Sequence, residues 1–77
     1  MTLQTALHLD LKGLSCPLPI VRTAKAMKEL ESGAMVEVIA TDPGSLKDFP
    51  AWCRVTGNDL VEHGAIGDAF RFVIRKR

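Results

Sequence analysis

Gly13-Leu14-Ser15-Cys16-Pro17-Leu18-Pro19 is the passage on which both the fold and the chemistry of this chain turn. Upstream of it, Leu7-His8-Leu9-Asp10-Leu11 alternates apolar and polar residues, the period of a half-buried strand. Downstream, Ile20, Ala24, Met27 and Leu30 fall on one stripe, and Arg22, Lys25 and Lys28 gather on a more exposed side. That spacing predicts a helix over 17–31, stopped by Gly33. The passage is thus a strand-to-helix junction with a cysteine at the head of the helix.

The remaining elements follow in order. Met35 to Thr41 is rich in Val and Ile, as a central strand is. Asp42-Pro43 reads as an N-cap with proline at the first helical position. A second helix is expected from about Ser45 to Val55, ended by Gly57, with Pro50 dividing it into a short turn and a main helix. Leu60 to His63 and Ala69 to Lys76 read as strands joined through Gly64-Ala65-Ile66-Gly67-Asp68. In the last strand Phe70, Phe72 and Ile74 share one face, opposite Arg71, Val73 and Arg75. The order is β-α-β-α-β-β. Right-handed crossovers put both helices on one face of a mixed four-stranded sheet, a two-layer α/β sandwich (α+β class) with its other sheet face more open.

Size and composition narrow the function. With 77 residues the chain is expected to form one domain, 1–77, with its core over about 7–76. A chain this short has little room for a deep substrate pocket beside its core, so chemistry is expected at the surface. A formal charge of +1 argues against a nucleic-acid partner, and Arg75-Lys76-Arg77 is too short a basic run to reverse that. Met1-Thr2-Leu3-Gln4-Thr5-Ala6 has neither the charged nor the apolar region of a secretory leader. No apolar run approaches the roughly 20 residues that span a bilayer. Two cysteines, Cys16 and Cys53, are too few for a disulfide-stapled secreted mini-domain, and a reducing cytoplasm fits them better.

Cys16 carries the chemistry in this reading. A sulfur at a helix N-terminus lies near unsatisfied N–H groups and the positive end of the dipole, which favours thiolate, the nucleophilic form. If Cys16 is the N-cap, Pro17 takes the first helical position, and Leu18 N–H is the obvious donor in a turn where Pro17 and Pro19 have none. Leu18 also precedes a proline, so the helix has an alternative start at Pro19 with Cys16 on the approach. His8 and His63 are on predicted strands, and no Cys-His-Asn pattern is readable. A thioredoxin-type dithiol would place a second cysteine where Pro19 stands. An activated thiol without a local base suits sulfur exchange: it attacks a sulfane sulfur, holds it and yields it to another thiol.

These residues, with the rest of the chain from about Leu9 to Lys76, resemble the TusA/SirA/YedF family of small sulfur-carrier proteins. The likeness rests on Leu9-Asp10 ahead of Gly13-Leu14, and on Cys16-Pro17-Leu18-Pro19 as the Cys-Pro-x-Pro motif with Leu18 at its variable position. It extends to Asp42-Pro43-Gly44-Ser45 with Asp48-Phe49-Pro50-Ala51-Trp52, and to the last strand, Phe70-Arg71-Phe72-Val73-Ile74-Arg75-Lys76. The resemblance implies a βαβαββ fold like that of the C-terminal domain of translation initiation factor three, and a persulfide on Cys16. It also implies a cysteine desulfurase or rhodanese-type enzyme as donor, and relay proteins serving tRNA thiolation, sulfur oxidation or cofactor supply as acceptors.

Around Cys16 the expected supporting residues are Gly13, Pro17, Leu18 and Pro19. Arg22, Lys25 and Lys28 are read first as a solvated helix face and second as a surface steering acidic partners. Cys53 is read first as a packing residue, second as a resolving thiol. Asp42 is expected to cap the second helix, and Phe49 and Trp52 to belong to the core. No cofactor is expected, nor a metal, since Cys16, Cys53, His8 and His63 contain no close-spaced ligand pair. The free protein is expected to be a monomer that contacts neither membrane nor nucleic acid directly.

Two competing readings fit the chain less well. A monothiol glutaredoxin-like protein also opens with a strand and a cysteine-headed helix. It needs a third, C-terminal helix and a proline before its third strand, where this chain has Gly57-Asn58-Asp59 and ends on a strand. A regulatory or RNA-binding module of the same fold needs a basic, aromatic sheet face, and this chain is near neutral and lacks tyrosine.

Overall fold

In a computed structural model, which describes residues 5–77, six elements alternate as the periodicities require. They are β1 (Leu7–Leu11), α1 (Leu18–Met27), β2 (Met35–Ala40), α2 (Ser45–Thr56), β3 (Asp59–Ile66) and β4 (Ala69–Arg75). Of the stretch Met1-Thr2-Leu3-Gln4-Thr5-Ala6, read as lacking a secretory leader, residues 1–4 lie outside the described residues. The sheet order is β1-β2-β4-β3, with β1 parallel to β2, and β4 antiparallel to both β2 and β3. It is the expected mixed four-stranded sheet.

Alternation assigns each strand its faces. Leu11, Val36, Val38, Phe72 and Ile74 pack with Met27, Phe49 and Cys53 from the helices in one buried cluster. Phe49 is fully buried and stacks on Phe72 with ring centroids 4.6 Å apart, while half-buried Trp52 meets Phe49 edge-on at 6.3 Å. The opposite sheet face is polar. Glu37 sits between Arg71 (Nε–Oε2 2.6 Å) and His8 (Nδ1–Oε1 2.8 Å), and Arg71 also reaches Glu62. The hydrogen bonds from Arg71 and His8 hold the Glu37 carboxyl below the usual carboxylate range. Val73 is fully buried within this charged face.

The helices depart from expectation in three ways. α1 stops at Met27, short of 31, because the next amides bond back three residues: Glu29 N–H to Ala26 O and Leu30 N–H to Met27 O. That tightening ends an α-helix. Its buried stripe is Pro19, Thr23 and Met27, with Ile20 and Leu30 packed beside it. Thr23 is accommodated because its hydroxyl donates to Pro19 O at 2.8 Å. Pro50 does not divide α2, which runs unbroken from Ser45 to Thr56 and ends at Gly57 in the left-handed region. The proline costs only the helical donor to Leu46 O, and Leu46 is on the exposed side of the helix. Asp42 does not cap α2 through its side chain; Gly44 is the N-cap, and only the Asp42 backbone carbonyl takes part, accepting from Ser45 N–H at 3.0 Å.

β3 is also longer than expected. It reaches Ile66, which pairs with Ala69 across Gly67-Asp68, so the broad turn region is a tight hairpin. A register shift between Leu60 and Glu62 places a bulge at Val61.

Truncating the stacked ring tests this core. Phe49→Ala is expected to cost about 3–5 kcal/mol in denaturant unfolding. Val55→Ala, on the same helix but 86% exposed, should change stability by less than about 0.5 kcal/mol.

Candidate functional site

The buried end of β1 sets the position of the cysteine. After Leu11 the chain turns through Gly13, whose φ of +83° is a conformation that disfavours side chains. Gly13 N–H donates to Thr41 Oγ1 at 2.9 Å, tying the loop to the end of β2. Leu14 packs against the core, Ser15 and Cys16 are exposed, and the Cys16–Pro17 peptide bond is cis.

Of the two alternative helix starts, the structure takes one between them. Pro17 is the N-cap and Leu18 the first helical residue, so Cys16 stands one residue before the cap. Leu18 N–H, the donor expected to face the sulfur, instead bonds Ser15 O at 2.9 Å, and Val21 N–H bonds Pro17 O at 3.1 Å. With Pro17 and Pro19 lacking N–H groups, the first turn has little to offer a thiolate.

The group that meets the sulfur comes from α2. Cys16 Sγ–H donates to Asp48 Oδ2 at 2.9 Å. Sγ and one carboxylate oxygen each from Asp42 and Asp48 lie within 4.8 Å of one another. Gly44 closes the gap between them: a Cβ there would lie 2.8 Å from Asp42 Oδ2 and 3.7 Å from Cys16 Cβ. Asp42 Oδ2 is buried and has no hydrogen-bond partner among the described residues. One thiol and two carboxylates thus converge here at ligand spacing, which a search of the sequence confined to Cys16, Cys53, His8 and His63 does not foresee.

The electrostatics reverse the expected sign. The Asp48 hydrogen bond, then partial desolvation, then the charges of Asp48 and Asp42, raise the Cys16 thiol above its ordinary value. Proximity to a helix terminus does not overcome two neighbouring carboxylates. A thiolate formed here gives up a hydrogen bond and gains like-charge repulsion.

The other predicted residues scatter. Pro19 is on the buried stripe of α1, while Pro17 and Leu18 are exposed beside Cys16. Arg22, Lys25 and Lys28 are exposed on α1 and form no ion pair among the described residues. Cys53 is 4% exposed, and burial pushes its thiol up to about 11, so it packs as a small hydrophobe. His8 is bound to Glu37 on the open sheet face, and His63 is exposed on β3. Reading the sequence missed Asp48, Gly44 and Thr41 as parts of the site. Asp48 belongs to the second motif, but nothing in its local pattern points at a residue 32 positions away.

The family model described as Sulfurtransferase TusA matches residues 8–76. The chain belongs to the TusA family. It is 56% identical over 68 residues to the putative sulfur carrier protein YrkI of Bacillus subtilis, covering 88% of this chain and 91% of that one. It is 52% identical over 69 residues to the sulfur carrier protein TusA of Allochromatium vinosum, covering 90% and 91%. Its fold matches the crystal structure of a SirA-like protein from Desulfitobacterium hafniense with a TM-score of 0.79 at 25% identity, covering 90% and 95%. The sequence resemblance and the expected fold are both upheld.

The two thiols should separate cleanly by reactivity. In the folded protein at pH 8, iodoacetamide is expected to modify Cys16 and leave Cys53 untouched, with both labelled in guanidinium. Because the Cys16 thiol titrates higher than usual, its alkylation rate should still be climbing at pH values where an ordinary thiol has levelled off. Peptide mass mapping across a pH series reads both outcomes.

Proposed function

We propose that this chain carries sulfane sulfur as a persulfide on Cys16 and relays it between partner proteins. The observation that supports the reading best is an exposed cysteine at the β1–α1 junction of a TusA-family chain, with the other thiol sealed in the core. Cys16 attacks the terminal sulfur of a donor persulfide. A new S–S bond forms at Sγ, the donor's S–S bond breaks, and the leaving thiolate takes up the proton that Cys16 gives up. The reverse sequence delivers the sulfur to an acceptor thiol.

Cysteine desulfurases and rhodanese-type enzymes are the donors proposed, and relay proteins of tRNA thiolation, sulfur oxidation or cofactor synthesis the acceptors. Pro17, Pro19 and Gly13 serve as a stiff mount for the sulfur. Leu18 and the exposed Arg22, Lys25 and Lys28 form the surface that a partner meets. Such a carrier acts as a monomer in the cytoplasm. No described helix is long and apolar enough to cross a membrane.

Incubation with a persulfide donor is expected to add one sulfur, about 32 Da, to the Cys16 peptide, and a reductant should remove it. Cys16→Ser should abolish the gain. Loading that persists in Cys16→Ser, or appears wholly on Cys53, would falsify the assignment.

A further inference from the structure

We propose that Asp48 is a positioning residue that restrains the empty carrier, holding Cys16 as a hydrogen-bonded neutral thiol until sulfur is loaded. The inference rests on the sulfur-carrier reading of Cys16 for its meaning, though not for its chemistry.

Three observations support it independently of any titration. The Sγ–Oδ2 separation of 2.9 Å is short for a sulfur donor and joins the β1–α1 loop to α2. Asp42 lies behind Asp48 with its buried Oδ2 unpartnered, so a second acid reinforces the first. Neither carboxylate has a cationic partner: among the described residues no Lys, Arg or His lies within ion-pair distance of Asp42 or Asp48. Several charged groups belong to the elements meeting there: Asp10 and Lys12 at the end of β1, Arg22 and Lys25 on α1, and Asp42, Lys47 and Asp48 at the head of α2. Lys12 is directed to Asp10, and only Asp42 and Asp48 act on the Cys16 thiol.

The contact distinguishes the two states of the carrier. An empty Cys16 has a proton on Sγ to donate. In a persulfide Sγ has none, and any proton belongs to the outer sulfur, one S–S bond of about 2.05 Å further out. Asp48 in its present position therefore favours the empty thiol, and slows its reaction with oxidants, alkylators and stray disulfides. A docking partner that sets a cationic group against Asp48 removes the restraint at the moment of transfer.

The test compares wild type with Asp48→Asn, which keeps the shape of the side chain and removes its charge. Alkylation by uncharged iodoacetamide is followed across pH 6 to 11, with thermal melts as the check on folding. The rate–pH midpoint of Asp48→Asn is expected to move to lower pH, with alkylation at pH 7 faster by at least about threefold. Asp48→Glu, which keeps a carboxylate, should return toward wild type. A purely structural role for Asp48 moves none of these midpoints. Asp48→Ser makes the same measurement if Asp48→Asn does not fold.

The same samples are then exposed to inorganic polysulfide. Cys16 attacks a terminal sulfur, one S–S bond forms as another breaks, and the shortened polysulfide leaves with the electron pair and the proton. Loading should be faster in Asp48→Asn. An unmoved or raised midpoint in the variant overturns the restraint. Shifted midpoints with no sulfur uptake by either wild type or Asp48→Asn overturn the carrier reading and leave the restraint standing.

Discussion

The stacking of Phe49 on Phe72 is the contact from which the site follows. It seats α2 on the centre of the sheet by a residue with no exposed surface, and so fixes the rotation of the helix about its own axis. Asp48 is the residue just before that anchor, a step of about 100° around the helix, and it is carried to the edge of α2 that faces the β1–α1 junction. A thiol and a carboxylate distant in sequence therefore meet because an aromatic pair packs, and Gly44 lets them approach by leaving out a side chain.

The same arrangement decides which local field governs the sulfur. A helix terminus offers partial positive charge through free N–H groups. Here Pro17 and Pro19 have no N–H, and Leu18 N–H turns away to Ser15 O. The carboxylates of Asp48 and Asp42 a few ångströms off then prevail. The prolines give the cysteine a rigid mount and, by removing donors, weaken the dipole's hold on it. Cys53 completes the contrast: enclosed by the core, it is inert for a different reason, loss of water.

Much of the fold was legible because it is periodic. The alternation of Leu7 to Leu11 and the shared face of Phe70, Phe72 and Ile74 identify strands and their inward sides without reference to distant residues, and the order of elements then restricts the topology. Cys16 was legible as a candidate because its neighbours are prolines and a glycine. What escaped depends on tertiary placement. Pro50 signals a break, yet the carbonyl it deprives belongs to exposed Leu46, so the helix continues. Asp42 looks like a cap in its local context, but its side chain lies against Cys16 and Asp48 instead. The acid that sets the temper of the thiol is not a neighbour in the chain, and no spacing rule reaches it.

The kink at Val61 has a consequence for how these molecules coexist. β3 borders the sheet, and a straight border strand is an invitation for another copy to zip alongside through its bare amides and carbonyls. Two residues opposing one at the bulge spoil the repeat such zipping needs, and they increase the local twist. The irregularity discourages fibril-like stacking along this border of the sheet.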